Sequence, residues 1–281
     1  MLKTIFNKNY INIIKHKFLP LSNELYPKNI YFTFLRSEIK IDTFHLANRN
    51  LIRWCINSKN FKKRSNCNIE ILYEKAEMNA FEKLIEKSNY FIDIGAQNGI
   101  YSLAAYKAKN IKKIICLDIM KDYIRAIKSN IKLNDFSFTK FHFLNFGLGL
   151  GNVFHKEWIG SNKTKGISFE KILKITSVTL SENDCVKVDI EGWEFSLFET
   201  MIGKFFLENK PKLLLSFHTK EIINLSKNNI SEEMVFNYLS LNYKFKYITN
   251  NDNLFLEIFS LKDQNLDKRL YKTIIFSNIK L

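Results

Sequence analysis

The sequence contains little cysteine, proline or glycine, with 4, 3 and 9 of them among 281 residues. The cysteines form no Cys-x-x-Cys pair, and their spacing relative to the histidines does not suggest structural zinc or another metal site. This pattern is typical of a reducing cytoplasm, where we expect the protein to reside. The sequence also lacks any run near the roughly 20 apolar residues that span a membrane. Since lysines and asparagines interrupt its beginning, we predict neither a membrane span nor a signal peptide.

Arginine is scarce as well, although the chain carries a formal net charge of +15 from 43 Lys and Arg against 28 Asp and Glu. Nearly all of this excess is lysine. A basic chain can bind a polyanion such as nucleic acid, an anionic glycan or a membrane surface. Bidentate phosphate recognition favours arginine over lysine, however, and abundant Asn, Ile and Phe are typical of an AT-rich coding sequence. We therefore keep nucleic acid as an alternative partner that the composition does not favour.

Hydrophobic residues make up 46% of the chain, which is enough to build a sizeable core. Short apolar runs alternate with helical patterns, and this alternation predicts βαβ units and a mostly parallel sheet. The seven predicted strands lie at residues 90–94, 113–117, 141–146, 185–188, 212–217, 244–248 and 254–259. The connection between the last two is too short for a crossover helix, so we expect them to pair antiparallel.

The predicted organisation has three parts: a basic N-terminal extension at residues 1–68, an α/β domain at 69–260 and a C-terminal tail at 261–281. A helix is expected over most of residues 69–87, and a loop or small hairpin within 147–179. The predicted fold is a Rossmann-like, mostly parallel seven-stranded sheet with an antiparallel last strand and helices on both faces.

The strongest chemical signal is the segment Phe91–Ser102, in which a buried strand leads through a glycine-containing turn into a helix. Such a turn lets the backbone approach a nucleotide cofactor closely. A dinucleotide site needs G-x-G-x-x-G, whereas this segment reads D-x-G-A-x-x-G, and Asp93 would repel a pyrophosphate. S-adenosylmethionine has no phosphate and carries a sulfonium and an ammonium, so the acid favours that cofactor. The alternative is a tight turn with a helix-capping aspartate.

Two further strands also end in acids. Asp118 follows the second predicted strand, where Rossmann-like folds place the carboxylate that accepts the ribose hydroxyls, although an N-cap is the alternative. Asp189 follows the fourth strand, and Glu191 and Glu194 come directly after it. The two glutamates could simply complement a helix dipole, whereas Asp189 should lie over the ligand crevice.

These motifs resemble those of the FkbM-type family of S-adenosylmethionine-dependent methyltransferases. Residues 91–102 are similar to that family's F-I-D-V-G-A-N-x-G-x-Y-S, and residues 187–194 to its K-I-D-V-E-G-x-E. The resemblance covers residues 77–218 and implies a methyltransferase core that binds S-adenosyl-L-methionine and acts on a hydroxyl acceptor. The cofactor-binding residues that we predict are Asp93, Gly95, Ala96, Gln97, Gly99, Tyr101, Ser102, Asp118 and Asn145.

The predicted reaction is methylation of a hydroxyl group on a glycan, a lipid-linked sugar or a small metabolite. A general base near that hydroxyl would accelerate the transfer, and Asp189 is our first choice for it. His218, at the end of the next strand, is the second, and Glu191 could orient either of them. At the end of this next strand, Ser216-Phe217-His218 departs from the family pattern, which has an acid there.

Three alternatives remain open from the sequence. The net charge and Lys187, which lies beside Asp189, are compatible with an RNA ribose 2'-O-methyltransferase, although the pair could equally be a simple salt bridge. A methyltransferase-like fold could also serve as a non-catalytic module that binds a polyanion. A nicotinamide oxidoreductase is the weakest of the three because of the glycine register.

Overall fold

The computed structural model describes residues 29–33, 37–42, 61–65, 68–71, 75–149, 152–157, 160–190, 194, 208–217, 231–249, 255–261 and 272–281. The strands are β1 (Asn29–Thr33), β2 (Glu38–Asp42), β3 (Phe61–Ser65), β4 (Asn68–Ile71), β5 (Tyr90–Ile94), β6 (Lys113–Leu117), β7 (Phe141–Leu144), β8 (Gly147–Leu148), β9 (Asn152–Glu157), β10 (Gly160–Ile167), β11 (Cys185–Val188), β12 (Lys212–Phe217), β13 (Phe245–Ile248), β14 (Leu256–Glu257) and β15 (Lys272–Ser277). The helices are α1 (Lys75–Leu84), α2 (Ile100–Tyr106), α3 (Lys121–Leu133), α4 (Phe169–Thr176) and α5 (Glu232–Ser240), and one 3-10 turn lies at Phe138–Lys140.

An eight-stranded sheet with the order β14-β13-β15-β12-β11-β5-β6-β7 forms the centre of the molecule. Strands β7, β6, β5, β11 and β12 are all parallel, and β15 runs antiparallel to both of its neighbours, β12 and β13. Helices α1, α2 and α3 pack on one face of this sheet, and α4 and α5 pack on the other. The predicted Rossmann-like fold is therefore confirmed, including its mostly parallel sheet and its antiparallel last strand.

The end of the sheet differs from the prediction of seven strands. Residues 254–259 contribute only the two-residue edge strand β14, which pairs antiparallel with β13 as expected. The antiparallel strand inside the sheet is β15, which lies within the segment that the sequence assigns to a tail. Ile274 and Phe276 pack in the core on the α4 and α5 face of the sheet, and Ile275 packs in the core on the face of α1, α2 and α3. Its apolar run is only three residues long, which is why periodicity alone gives it little weight.

The region predicted to be a basic extension contributes a second, four-stranded sheet with the order β2-β1-β4-β3. Its buried side chains Ile30, Phe32, Ile39 and Ile41 join the core beneath α1, α2 and α3. The helix predicted over 69–87 is shorter than expected: β4 occupies its first residues, and α1 begins at Lys75. The residues before 29 lie outside the described part of the chain.

The glycine-rich segment after β7 contains the predicted hairpin, formed by β9 and β10. It also contains α4, which the sequence analysis did not predict and which Ser168 caps through its hydroxyl. In the described part of the chain, no helix has the length and apolarity needed to cross a membrane.

Candidate cofactor and active site

Three aspartates end neighbouring parallel strands at one edge of the central sheet. Asp93 lies on β5, Asp118 follows β6, and Asp189 follows β11. The chain proceeds from β5 through β6 to β7 on one side, whereas β11 and β12 lie on the other side of β5. The strand order therefore reverses between β5 and β11, and open α/β sheets bind ligands at such a reversal. The structure thus brings the three predicted aspartates to the same end of the central sheet, on both sides of this reversal.

The glycine turn between β5 and α2 is tightly constrained. Its residues Gly95, Gln97 and Gly99 have φ angles of +80°, +48° and +82°. The N–H groups of Gly95 and Ala96 both donate to the carbonyl of Leu117. A Cβ atom at Gly95 would lie 1.8 Å from the backbone oxygen of Asp189. We expected these glycines to let the backbone approach a ligand. In the structure, Gly95 permits the close packing of the turn against the backbone of Asp189.

Asp93 is buried beneath this turn, with 1% of its surface exposed. One carboxyl oxygen, Oδ2, accepts a hydrogen bond from the Ser102 hydroxyl at 2.7 Å, and the other, Oδ1, is buried and has no hydrogen-bond partner among the described residues. The Ser102 hydroxyl in turn accepts a hydrogen bond from Cys116. Burial raises the pKa of Asp93, and the nearby ammonium of Lys187 opposes that rise. Helix α2 has Gly99 at its N-cap and no side-chain cap, so the alternative of Asp93 as a helix cap is wrong.

Lys187 lies beside Asp93 on the neighbouring strand and reaches the end of β11. Its Nζ donates to Oδ2 of Asp189 at 3.0 Å and lies 4.8 Å from the centre of the Tyr101 ring. The Lys187 side chain is 5% exposed, whereas that of Asp189 is 31% exposed. Lys187 and Asp189 therefore form the salt bridge that the sequence left open, and Asp189 is the member that solvent reaches.

Asp118 is held by backbone groups of the glycine turn and of its own loop after β6. Its Oδ2 accepts from the N–H of Gln97 at 2.9 Å and its Oδ1 from that of Met120 at 2.8 Å. Burial raises the pKa of Asp118 to about 7, against the lowering effect of these two hydrogen bonds. Asn145 supports the same loop, since its amide donates to the carbonyls of Asp118 and Ile119. Because Met120 is the N-cap of α3 and no side chain caps that end, the N-cap role for Asp118 is not observed.

The sequence also singled out Tyr101, Glu191, Glu194 and His218. Tyr101 is mostly buried, and its ring packs edge-on against the Phe81 ring in the core. Glu191 and His218 lie outside the described residues. Glu194 is buried and accepts a hydrogen bond from the N–H of Ile190, which ties it to the loop after β11.

Asn130, a fully buried asparagine of α3, was not among the predicted residues, and it donates to the carbonyl of Asn98 in the glycine turn. The signal was a polar residue on the apolar face of an amphipathic helix, but asparagine is too common in this chain for it to stand out. Over the described ranges, no cluster of three or more His, Cys, Asp or Glu residues could hold a metal ion.

Replacing Lys187 by methionine should destabilise the protein, because it removes the cation that lies between Asp93 and Asp189. We expect the free energy of unfolding to fall by roughly 2 kcal/mol near neutral pH. This is less than for a fully buried ion pair, because Asp189 is partly solvated. The pKa of Asp93 is raised in the folded protein, so Asp93 contributes most to stability when the pH is below its pKa in the unfolded chain. That contribution is lost as the pH rises through its pKa in the folded protein. The loss should therefore be larger at about pH 8 than at about pH 5 in urea unfolding.

Lys128→Met is the matched control, since Lys128 is exposed and its ammonium lies over the Phe143 ring. It should change the free energy of unfolding by less than about 0.5 kcal/mol at either pH. Equal effects of the two substitutions would show that the Lys187 ammonium does not compensate the buried carboxyl.

No protein-family model matches the sequence, and the search of curated proteins found no match. Among solved structures, the protein is similar to the methyltransferase FkbM from Methylobacillus flagellatus KT, with 15% identity over 68% of this chain and a TM-score of 0.41. The aligned part spans 44% of that FkbM chain.

Two smaller proteins are also similar. One is an rRNA methylase from Streptococcus thermophilus, with 9% identity, 72% of this chain and 95% of that chain covered, and a TM-score of 0.42. The other is an O-methyltransferase from Bacillus cereus in complex with SAH, with 9% identity, 82% and 88% covered, and a TM-score of 0.42. These scores are low, and the fold assignment rests on the strand order of the central sheet itself.

Proposed function

We propose that this protein is an S-adenosylmethionine-dependent methyltransferase of the FkbM type. The observation that carries the proposal is the convergence of Asp93, Asp118 and Asp189 at the strand-order reversal, beside a turn that opens a helix. Burial is the main cause of the raised pKa values of Asp118 and Asp93. The Asp93 carboxyl adds to the first shift and the Asp189 carboxyl to the second, whereas the Lys187 ammonium lowers both pKa values. A cationic ligand stabilises the ionised form of such carboxyls, whereas a pyrophosphate would be repelled.

The residues present fit this cofactor. S-adenosylmethionine supplies a methyl group that is already activated by its sulfonium. Asp118 would hold the ribose, because each of its oxygens accepts only one of the backbone hydrogen bonds described and a carboxylate offers about four lone-pair sites. The turn at 95–99 and the buried charge of Asp93 would hold the methionine part.

The other predicted cofactor residues support these groups. Ser102 donates to Asp93, Asn145 fixes the loop of Asp118, and Tyr101 packs against the ammonium of Lys187. Through these contacts they would act on the cofactor indirectly. Gln97 contributes its backbone N–H to Asp118, so replacement of the family's asparagine by glutamine leaves this contact intact.

Asp189 is the proposed general base. It is the most exposed of the three carboxyls, and Lys187 fixes its orientation through Oδ2. A hydroxyl is a poor nucleophile until its proton is removed, and a carboxylate within hydrogen-bond reach removes it during the transfer. Glu191 as an orienting group and His218 as the second candidate base remain proposals on residues outside the described ranges.

Calorimetric titration with S-adenosylmethionine and S-adenosylhomocysteine tests the cofactor, with NAD as a control. We expect micromolar binding of both nucleosides, no binding of NAD, and a loss of at least about tenfold in affinity for Asp118→Ala. Absence of binding to either nucleoside would overturn the proposal in favour of a non-catalytic module.

Binding should also depend on pH through Asp118. The carboxyl must be ionised to accept hydrogen bonds from ribose hydroxyls, and its pKa is about 7. The affinity for 5'-methylthioadenosine, which has the ribose but no amino-acid group, should therefore rise up to about tenfold between about pH 6 and pH 8. Asp118→Asn should remove this dependence. An affinity of the unsubstituted protein that is flat or falls over this range would contradict the role of Asp118.

The proposed acceptor is a hydroxyl group on a glycan, a lipid-linked sugar or a small metabolite. Methyl transfer from labelled cofactor to simple glycans, to alcohols and to single-stranded RNA separates the alternatives. Transfer to RNA alone would replace the proposed acceptor by a ribose 2'-hydroxyl.

A further inference from the structure

Strand β2 is an edge strand, and its open side faces helix α3. Among the described strands, β2 is hydrogen-bonded to β1 alone, so alternate backbone groups of β2 point away from β1 toward the helix. Unpaired edge groups are a liability unless another element covers them. Here the N–H of Lys40 donates to Oδ1 of Asn134 at 2.9 Å, and the N–H of Asp42 donates to Oδ1 of Asn130 at 3.0 Å.

The two asparagines match the repeat of the strand. Residues four apart on a helix lie about 6 Å apart along its axis, and residues two apart on a strand lie about 6.8 Å apart. Asn130 and Asn134 therefore meet Lys40 and Asp42 in register, so the helix takes the place of a missing strand. Asn134 also donates to the carbonyl of Lys40, which completes the backbone pairing of that residue.

Asn130 differs from Asn134 in what its second amide atom contacts. Its Nδ2 donates to the carbonyl of Asn98 at 2.9 Å, in the glycine turn just before α2. Both Asn130 and Asn98 are buried, with 0% and 2% of their surfaces exposed. One side chain thus joins the β1–β4 sheet, α3 and the turn in a site closed to water, where a lost hydrogen bond is not replaced by solvent.

We infer that Asn130 is a positioning residue that links the glycine turn to the β1–β4 sheet and so fixes the position of the turn. The β1–β4 sheet would then be part of the cofactor-binding unit. Asn98 lies between Gln97 and Gly99, both of which have positive φ angles that the surrounding contacts must maintain. The N–H of Gln97 reaches Asp118, so a shift of the turn moves a hydrogen bond of the proposed ribose site. The effect on cofactor affinity rests on the proposed function, whereas the effect on the order of the turn does not.

The test compares Asn130→Asp with Asn134→Asp. Each substitution keeps the oxygen that accepts from β2 and replaces an amide donor by an oxygen. Only Asn130→Asp places that oxygen against the carbonyl of Asn98. Hydrogen exchange of peptides covering residues 95–103 and titration with S-adenosylhomocysteine are measured on both variants and on the unsubstituted protein.

We expect Asn130→Asp to accelerate exchange in 95–103 by about tenfold or more and to weaken S-adenosylhomocysteine binding by about tenfold. Asn134→Asp should change both by less than about threefold, even if the two variants lose similar thermal stability. Asn130→Ser, which is smaller and carries no added charge, repeats the measurement should the aspartate variant fail to fold.

Equal effects of the variants at positions 130 and 134 on exchange in the turn, or no effect of either, would overturn the inference. If the unsubstituted protein binds no S-adenosylhomocysteine, the proposed function fails, and the exchange comparison still decides the role of Asn130.

Discussion

Gly95→Ala should destabilise the protein by about 3 kcal/mol or more and abolish cofactor binding. The new Cβ would lie 1.8 Å from the backbone oxygen of Asp189, and a backbone atom cannot rotate away as a side chain can. The φ angle of +80° adds strain for any residue with a Cβ. Relief requires the turn and the loop after β11 to separate, which would displace the turn from Asp189. Urea unfolding and titration with S-adenosylhomocysteine measure the two effects.

Gly99→Ala is the matched control for this substitution. Gly99 has nearly the same φ angle, +82°, but its added Cβ would meet only side-chain atoms of Ile127 at 3.0 Å. We therefore expect a loss of about 1–2 kcal/mol, mainly from the backbone conformation. If the two variants were equally stable, the contact between the turn and the Asp189 backbone would not be the constraint that requires glycine at position 95.

The central sheet was predictable because four of its parallel strands, β5, β6, β11 and β12, are short runs buried on both faces. The strands at 113–117, 185–188 and 212–217 have the predicted bounds, and the register between β5 and β11 places Lys187 opposite Asp93. Strand β15 was not predicted because its partners β12 and β13 are distant in sequence. No short turn or crossover helix next to it indicates that it joins the sheet. The β1–β4 sheet escaped prediction for a similar reason, since its apolar residues gain their significance only from packing against α2 and α3.

The three aspartates of the candidate site could be predicted because each lies at the carboxyl end of a buried strand, and such strand ends can be located from the sequence. The contacts of each aspartate could not be predicted from the sequence. The burial of Asp93, the capture of Asp118 by two backbone N–H groups and the salt bridge of Asp189 depend on neighbouring strands. The contact of Asn130 with the turn joins residues 32 positions apart and depends entirely on tertiary packing.

These contacts give the three aspartates different surroundings, which fit the different tasks proposed for them. Asp93 is enclosed with Ser102, which suits a fixed charge beneath the turn, and Asp118 is anchored by backbone groups, which suits a rigid acceptor for hydroxyls. Asp189 is the most exposed, with the buried ammonium of Lys187 beside it. Proton removal requires a group that the substrate can reach, which supports Asp189 as the proposed base.

Asp189→Asn should therefore lower the rate of methyl transfer by about 10²- to 10⁴-fold while leaving cofactor affinity within about threefold. Asparagine keeps the size of the side chain and an oxygen that can accept from Lys187, but it cannot take a proton from the acceptor hydroxyl. Single-turnover transfer from labelled cofactor measures the chemical step, and S-adenosylhomocysteine titration measures binding. The separation of the two readouts distinguishes a base from a residue that merely holds the turn in place.

Asp122→Asn is the control for the loss of a carboxylate as such, because Asp122 is 69% exposed and pairs only at the surface with Arg125. It should leave both the rate and the affinity unchanged within about twofold. If Asp189→Asn retained full turnover, Asp189 would be removed from the chemistry, and His218→Ala would become the deciding substitution. A combined loss of binding and rate would instead assign the Asp189 side chain to the cofactor site.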